Sequence, residues 1–209
     1  MKGFSIAGIG TDVGKTIVSA LIVEAVKGAY FKPVQAGDLD RSDSIKIKEW
    51  CSSEVEVLPE IYRLTEPMAP HAAAELDGVK IVLRDITLPS TKKPLILEGA
   101  GGILVPLNED KESMLDLYEK ANLPVILVSR NYLGSINHTL MTIEILRSRD
   151  LSIHGIVYVG EPSEHTESII ERFTGVTCIG RVSLPEEEVN TAYIKLNSKQ
   201  FEGLIYDVI

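Results

Sequence analysis

The sequence predicts a doubly wound α/β domain, a mainly parallel sheet with helices on both faces, and three observations carry that expectation. Short β-rich apolar runs alternate along the chain with longer segments of helical period. Two of those runs, in "PLILEGAGG" and "PVILVSR", are bounded by proline and apolar on consecutive residues, as strands covered on both faces require. The first run ends in a glycine-rich turn, "GIGTDVGKT", that leads directly into a helical segment.

In chain order, "FSIAGI" reads as the first strand and Lys15 to Val26 as a helix, with Ile17, Ala20, Leu21 and Val23 spaced around its turns. "AYFKPV" reads as a second strand. After a polar loop come a helix near Ser44 to Cys51 and another from His71 to Leu76. The two proline-bounded strands follow. Ser135 to Arg149 is helical in pattern, "IHGIVYVG" is strand-like, Glu164 to Phe173 is helical again, and "TCIGRV" gives a last short strand before a C-terminal helix. No repeat, low-complexity tract or linker interrupts the pattern, so residues 1–209 read as a single domain.

Composition narrows the class. A hydrophobic share of 44% and a charged share of 24% are ordinary for a soluble globular chain, and no apolar run approaches the length of a membrane span. "FSIAGIG" is too short for a signal-peptide core and reads as a strand. The net charge of -9 is spread along the chain, which disfavours nucleic acid as a partner and requires any anionic ligand to be held locally. Cys51 and Cys178 are isolated in sequence, so neither a disulfide framework nor a cysteine metal cluster is expected, and a reducing cytoplasm fits.

"GIGTDVGKT" does not scan as the regular phosphate loop GxxxxGK(S/T): the position five before Gly14 is Ile9, with Gly8 one residue early and Gly10 one late. The physics of a phosphate cradle survives the irregular spacing. Gly10 and Gly14 free the backbone, N–H groups converge at a helix start, Lys15 adds a point charge, and Thr16 is placed to offer a hydroxyl to Mg²⁺. The bland alternative is a plain strand-to-helix turn.

Glu98 ends the apolar run before "GAGG", a place where open α/β sheets bind ligands and where a carboxylate can hold the Mg²⁺ of a nucleotide; it would otherwise be an acid at a strand end. Lys32 in "FKPVQAG" can neutralise charge growing on a transferred phosphoryl group or an acyl oxygen, or simply be a solvated lysine. Asp43 in "DRSDS" suits a helix cap and a metal ligand equally. His71 in "EPMAPHAAAE" reads as a helix-start histidine held by local hydrogen bonds, and Trp50 as a packing residue.

Taken together, GTDVGKT, KPVQAG with RSD, EGAGG and YLGSINH, in that order from about residue 4 to about residue 157, resemble the dethiobiotin synthetase family. That family's loop typically reads GTDTxVGKT, with the same spacing as Gly8 to Gly14, and Ile9 and Gly10 here replace its usual Thr and Asp. The resemblance implies a P-loop NTPase-like fold and a homodimer using MgATP, CO₂ and 7,8-diaminopelargonic acid.

By the same resemblance, Lys32, Lys15 and Thr11 carry catalysis, and Thr16, Asp43 and Glu98 hold Mg²⁺. Asp12, Val13, Gly14, Lys15, Thr16 and Ile17, with Asp43, Glu98, Gly99, Ala100 and Gly101, bind MgATP, and Ser183, Leu184 and Pro185 form the base-side loop. Thr11 and Ala36 meet the substrate, while Gly134, Ser135 and Asn137 of the neighbouring subunit hold its carboxylate at a helix N-terminus; locally, Ser135 reads equally well as an N-cap.

Two departures stand out. Ala36 replaces a usual Ser or Thr, and Val159 and Gly160 fall where some relatives have an Asn-Asp pair contacting adenine.

The rival classes are a P-loop switch ATPase of the partitioning or maturation type, a related synthetase domain of cobalamin synthesis, and a nucleotide-binding module without chemistry. The first usually carries an extra lysine early in its loop, where this chain has Gly8 to Thr11; the second has no obvious room here for a glutaminase domain; Lys32 separates the third from an enzyme.

Overall fold

The computed structural model describes residues 2–208. Its strands are β1 (Gly3–Gly8), β2 (Ala29–Phe31), β3 (Val34–Ala36), β4 (Glu56–Val57), β5 (Tyr62–Leu64), β6 (Leu95–Gly102), β7 (Val125–Arg130), β8 (Ile153–Val159) and β9 (Cys178–Val182). Seven of them form a sheet in the order β4-β2-β6-β1-β7-β8-β9, and every pairing in it is parallel. β1 therefore lies at the centre, and the loop leaving it opens at the middle of the sheet's C-terminal edge.

Alternation along each strand divides the core in two. Phe4, Ile6, Tyr30, Ile96, Ile126, Val128 and Val157 point to one face, where they pack with α1 (Lys15–Val26) and α2 (Asp43–Trp50). Ala7, Phe31, Leu95, Leu97, Leu127 and Tyr158 point to the other, and there the cover comes from α3 (Pro70–Leu76), α4 (Met114–Ala121), α5 (Ser135–Ser148) and α6 (Glu164–Thr174). Burying each large apolar side chain stabilises the fold by about 1.5–3 kcal/mol before the entropy of ordering it.

The expected "AYFKPV" strand is two strands. Pro33 has no N–H to continue the ladder, so β2 ends at Phe31 and β3 turns away to pair with β5 in a separate two-stranded sheet. Lys32 stands at that break. The expected helices lie within one residue of their observed bounds, but α4 was not anticipated. Its start is a capping box in which the Ser113 N–H and hydroxyl both donate to Asp116 Oδ2, at 2.7 and 2.6 Å, and its buried stripe is Met114, Leu115, Leu117, Tyr118 and Ala121. Trp50 is half-buried at the edge of the α1 and α2 face, in the packing role expected of it.

Candidate active site

The loop after β1 reaches α1 through Asp12 at φ 56° and Gly14 at φ 96°. A side chain at Gly14 would be strained by that φ and would bring its Cβ to 2.9 Å from Val159 Cγ1. Gly14 caps α1 without a side-chain hydrogen bond, and the first turn holds no acidic residue. The open N–H groups there suit an anion. Lys15 is buried, donates to Gly10 O at 2.8 Å, and has its pKa lowered to about 8, chiefly by burial.

Strand register builds the second half of the site. Phe31 of β2 pairs with Leu97 of β6, so the next residues along, Lys32 and Glu98, come to lie side by side. Glu98 is fully buried. Its Oε1 accepts from Thr16 Oγ1 at 3.0 Å and from Lys32 Nζ at 3.2 Å, while its Oε2 accepts from Tyr30 OH at 3.0 Å. Lys32 also donates to Asp43 Oδ2, and Lys46 donates to Asp43 Oδ1 at 3.1 Å.

Burial alone would lower the Lys32 pKa, but the Glu98 and Asp43 charges outweigh it and raise the value to about 12. Asp43 is held below the usual carboxylate range because Lys32 and Lys46 outweigh its own burial. Lys32 is accordingly a fixed positive charge across the working pH range.

A cleft of about 700 Å³ joins the two halves. Of the residues expected from sequence, Thr11, Asp12, Gly14, Lys15, Thr16, Ile17, Lys32, Ala36, Asp43, Glu98, Ala100, Gly101 and Leu184 line it. Val13 does not: the residue is 2% exposed and packs in the core. Gly99 is a packing position, since a Cβ there would stand 2.0 Å from the Tyr118 hydroxyl. Ser183 and Pro185 stay outside the cleft lining, and Ser183 O accepts from Tyr193 OH at 2.6 Å.

Gly134 and Asn137 are exposed at the start of α5 and take no part in this chain's own cleft. Ser135 is buried, and its N–H is donated to Tyr132 O at 3.0 Å, so it has no free backbone donor for a ligand. The Nδ1 of His71, expected to be locally bonded, is buried without a hydrogen-bond partner among the described residues.

Sequence reasoning missed several lining residues: Gln35, Asp38, Lys46, Met68, Pro70, Val105 and Arg130. Gln35 had a signal, because it lies inside the quoted "KPVQAG", and its Oε1 accepts from the Asp43 N–H at 3.3 Å. Met68 and Pro70 arrive from a loop whose path no local pattern encodes. Tyr30 was missed because a tyrosine in a strand reads first as core.

The central parallel sheet, the uncapped loop at its middle and the buried lysines beside it define a P-loop nucleotide-binding α/β protein. Solved structures agree on the fold: a plasmid partition protein from Borrelia burgdorferi superposes with TM-score 0.59 at 13% identity over 99% of both chains, and the septum site-determining protein MinD from Pyrococcus horikoshii, complexed with Mg-ADP, with TM-score 0.58 at 14% identity over 98% of this chain and 93% of that one. At such identities they speak to the fold alone.

The profile of the AAA domain family matches residues 2–191. The ATP-dependent dethiobiotin synthetase BioD of Christiangramia forsetii is 50% identical, covering 90% of this chain and 88% of the relative, and that of Cytophaga hutchinsonii is 47% identical, covering 97% and 100%. This chain belongs to the ATP-dependent dethiobiotin synthetase family.

Proposed function

We propose that this protein makes dethiobiotin from 7,8-diaminopelargonic acid, CO₂ and ATP, releasing ADP and phosphate. The observation that best supports this assignment is the buried Lys32, held against Glu98 and Asp43 in the same cleft as the loop lysine Lys15.

One amine of the substrate adds to CO₂ and loses a proton, forming a carbamate. A carbamate oxygen then attacks the γ-phosphorus as the bond to ADP breaks, and the second amine closes the ring with loss of phosphate. Each partner in the middle step is an anion, so catalysis consists mainly of positioning and charge cancellation. In this reading Lys15 bridges the phosphates and the carbamate, Lys32 stabilises charge on the carbamate and the mixed anhydride, and Thr11 orients the reacting group. Ala36 supplies no hydroxyl to the substrate, which leaves backbone contacts to do that work.

Thr16, Asp43 and Glu98 present hard oxygen donors on one wall of the cleft, the chemistry that Mg²⁺ prefers. Among the described residues no group of three or more His, Cys, Asp or Glu forms a protein-only metal site, which suits an ion that takes part of its shell from nucleotide phosphates. When bound, Mg²⁺ would neutralise phosphate charge.

The protein would work as a homodimer in the cytoplasm. Gly134 and Asn137, beside the exposed Tyr132, Leu133 and Ile136, are then free to complete a neighbour's cleft by holding the substrate carboxylate. No helix among the described residues is long and apolar enough to cross a membrane, and the acidic charge balance fits neither a membrane surface nor nucleic acid. Incubation with MgATP, ¹³C-bicarbonate and the diamine tests the assignment: mass spectrometry should find one labelled carbon in dethiobiotin, and its absence from an ATP-hydrolysing preparation would refute it.

A further inference from the structure

We propose that Tyr30 is a positioning residue for the reaction, aiming the Glu98 carboxylate by holding its Oε2 so that Oε1 faces the cleft. The proposal rests on the reading of Glu98 as a ligand of the nucleotide's divalent cation.

The two oxygens of Glu98 have different surroundings. Oε1 meets Thr16 and Lys32, both lining the cleft, whereas Oε2 has its hydrogen bond from Tyr30, which does not line it. Tyr30 and Glu98 are both fully buried, at 0% exposure. The last torsion of a glutamate side chain is broad and roughly two-fold, so its own rotamer preference leaves the carboxylate plane loosely defined. A donor fixed in space removes that freedom.

Tyr30 is fixed in space. Its backbone is paired on both sides, with Val57 of β4 and Ile96 of β6, and its ring is packed in the same apolar cluster as Ile47 and Ile96. Tyr30 lies in β2 and Lys32 just past its end, and both side chains reach the same Glu98 carboxylate, one at each oxygen. The hydroxyl thus ties metal-ligand geometry to a strand of the sheet that is paired on both sides, and it acts through Glu98 without touching substrate.

The test measures Mn²⁺ binding in the presence of ADP by electron paramagnetic resonance for the wild type, Tyr30→Phe, Glu98→Gln and the double variant. Loss of an outer-shell hydrogen bond to a metal ligand typically weakens metal binding about 10- to 100-fold, so Tyr30→Phe should weaken Mn²⁺ at least tenfold while ADP binding in EDTA stays within about twofold. Glu98→Gln should also weaken Mn²⁺, and the double variant should equal Glu98→Gln alone.

Wild-type Mn²⁺ affinity in Tyr30→Phe, with Glu98→Gln impaired, overturns the role of Tyr30 and leaves Glu98 as a ligand. Wild-type affinity in Glu98→Gln overturns the ligand reading itself and the proposal with it. If Tyr30→Phe does not fold, the double variant, which leaves no buried charge without its donor, is compared with Glu98→Gln: equality supports the proposal and a further loss overturns it.

Discussion

Lys32 Nζ donates to Glu98 Oε1 at 3.2 Å inside the protein, where the lysine side chain is 7% exposed and the glutamate side chain 0%. The contact follows from strand alignment, with Phe31 opposite Leu97 one step earlier, and Pro33 immediately afterwards stops β2 from running past it. Removing one partner of a buried ion pair strands the other charge, at about 3–5 kcal/mol. Urea unfolding of Lys32→Gln without nucleotide should show a loss of roughly this size. A loss below about 1 kcal/mol would mean that the pair is solvated.

The same variant separates binding from chemistry. Lys32→Gln should keep nucleotide affinity within about threefold, because Lys15 and the start of α1 remain, while turnover falls by at least about 100-fold, the scale on which a preorganised charge acts. Full activity in a folded Lys32→Gln protein would remove Lys32 from the mechanism.

Lys15 sets a pH dependence. Burial holds its folded-state pKa at about 8, below the ordinary 10.5, so between those values the unfolded chain binds a proton that the folded chain lacks and this group's contribution to stability rises with pH. Nucleotide phosphates favour the charged ammonium, so ADP binding should take up almost no proton at pH 7 and about half a proton near pH 8. Calorimetry in two buffers of different ionisation enthalpy reads the uptake. Lys15→Met should abolish it, and equal uptake in both proteins would assign the proton to another group.

Gly99 makes a prediction about packing. The Tyr118 hydroxyl donates to Ile6 O at 3.1 Å across the space that a Gly99 side chain would fill. Gly99→Ala should destabilise the protein by about 1–3 kcal/mol through overpacking, and Tyr118→Phe in the same chain should recover part of that loss. Thermal denaturation of the single and double variants decides it.

If each cleft is completed from a second copy, Lys32→Gln and Asn137→Ala damage different halves of one site. Mixing the two weakly active variants after mild dissociation should restore about a quarter of wild-type activity, as random pairing of protomers leaves one intact site in half of the dimers. No recovery in a mixture shown to exchange subunits would place the whole site within one chain.

Much of the sheet was legible because its central strands are apolar on consecutive residues and alternate with helices. Likewise Lys15, Thr16, Lys32, Asp43 and Glu98 were legible from local motifs, and the structure gathers all five around one cleft. What local sequence did not reveal depends on long-range placement. Tyr30 matters through a neighbour 68 positions away, Met68 and Pro70 through a loop path, and Gly99 through Tyr118. The helix α4 is less legible although its capping box and apolar stripe are local, because it spans only eight residues between two strongly apolar strands. Ser135 also depends on placement: in this chain its N–H is bonded to Tyr132 O, which its position in a glycine-led helix start does not reveal.

The most direct test of the central claim is phosphate release from MgATP with the diamine and bicarbonate present together and with each omitted in turn. The account predicts that release requires both and falls to background without either. Phosphate release that proceeds equally without the diamine would contradict it.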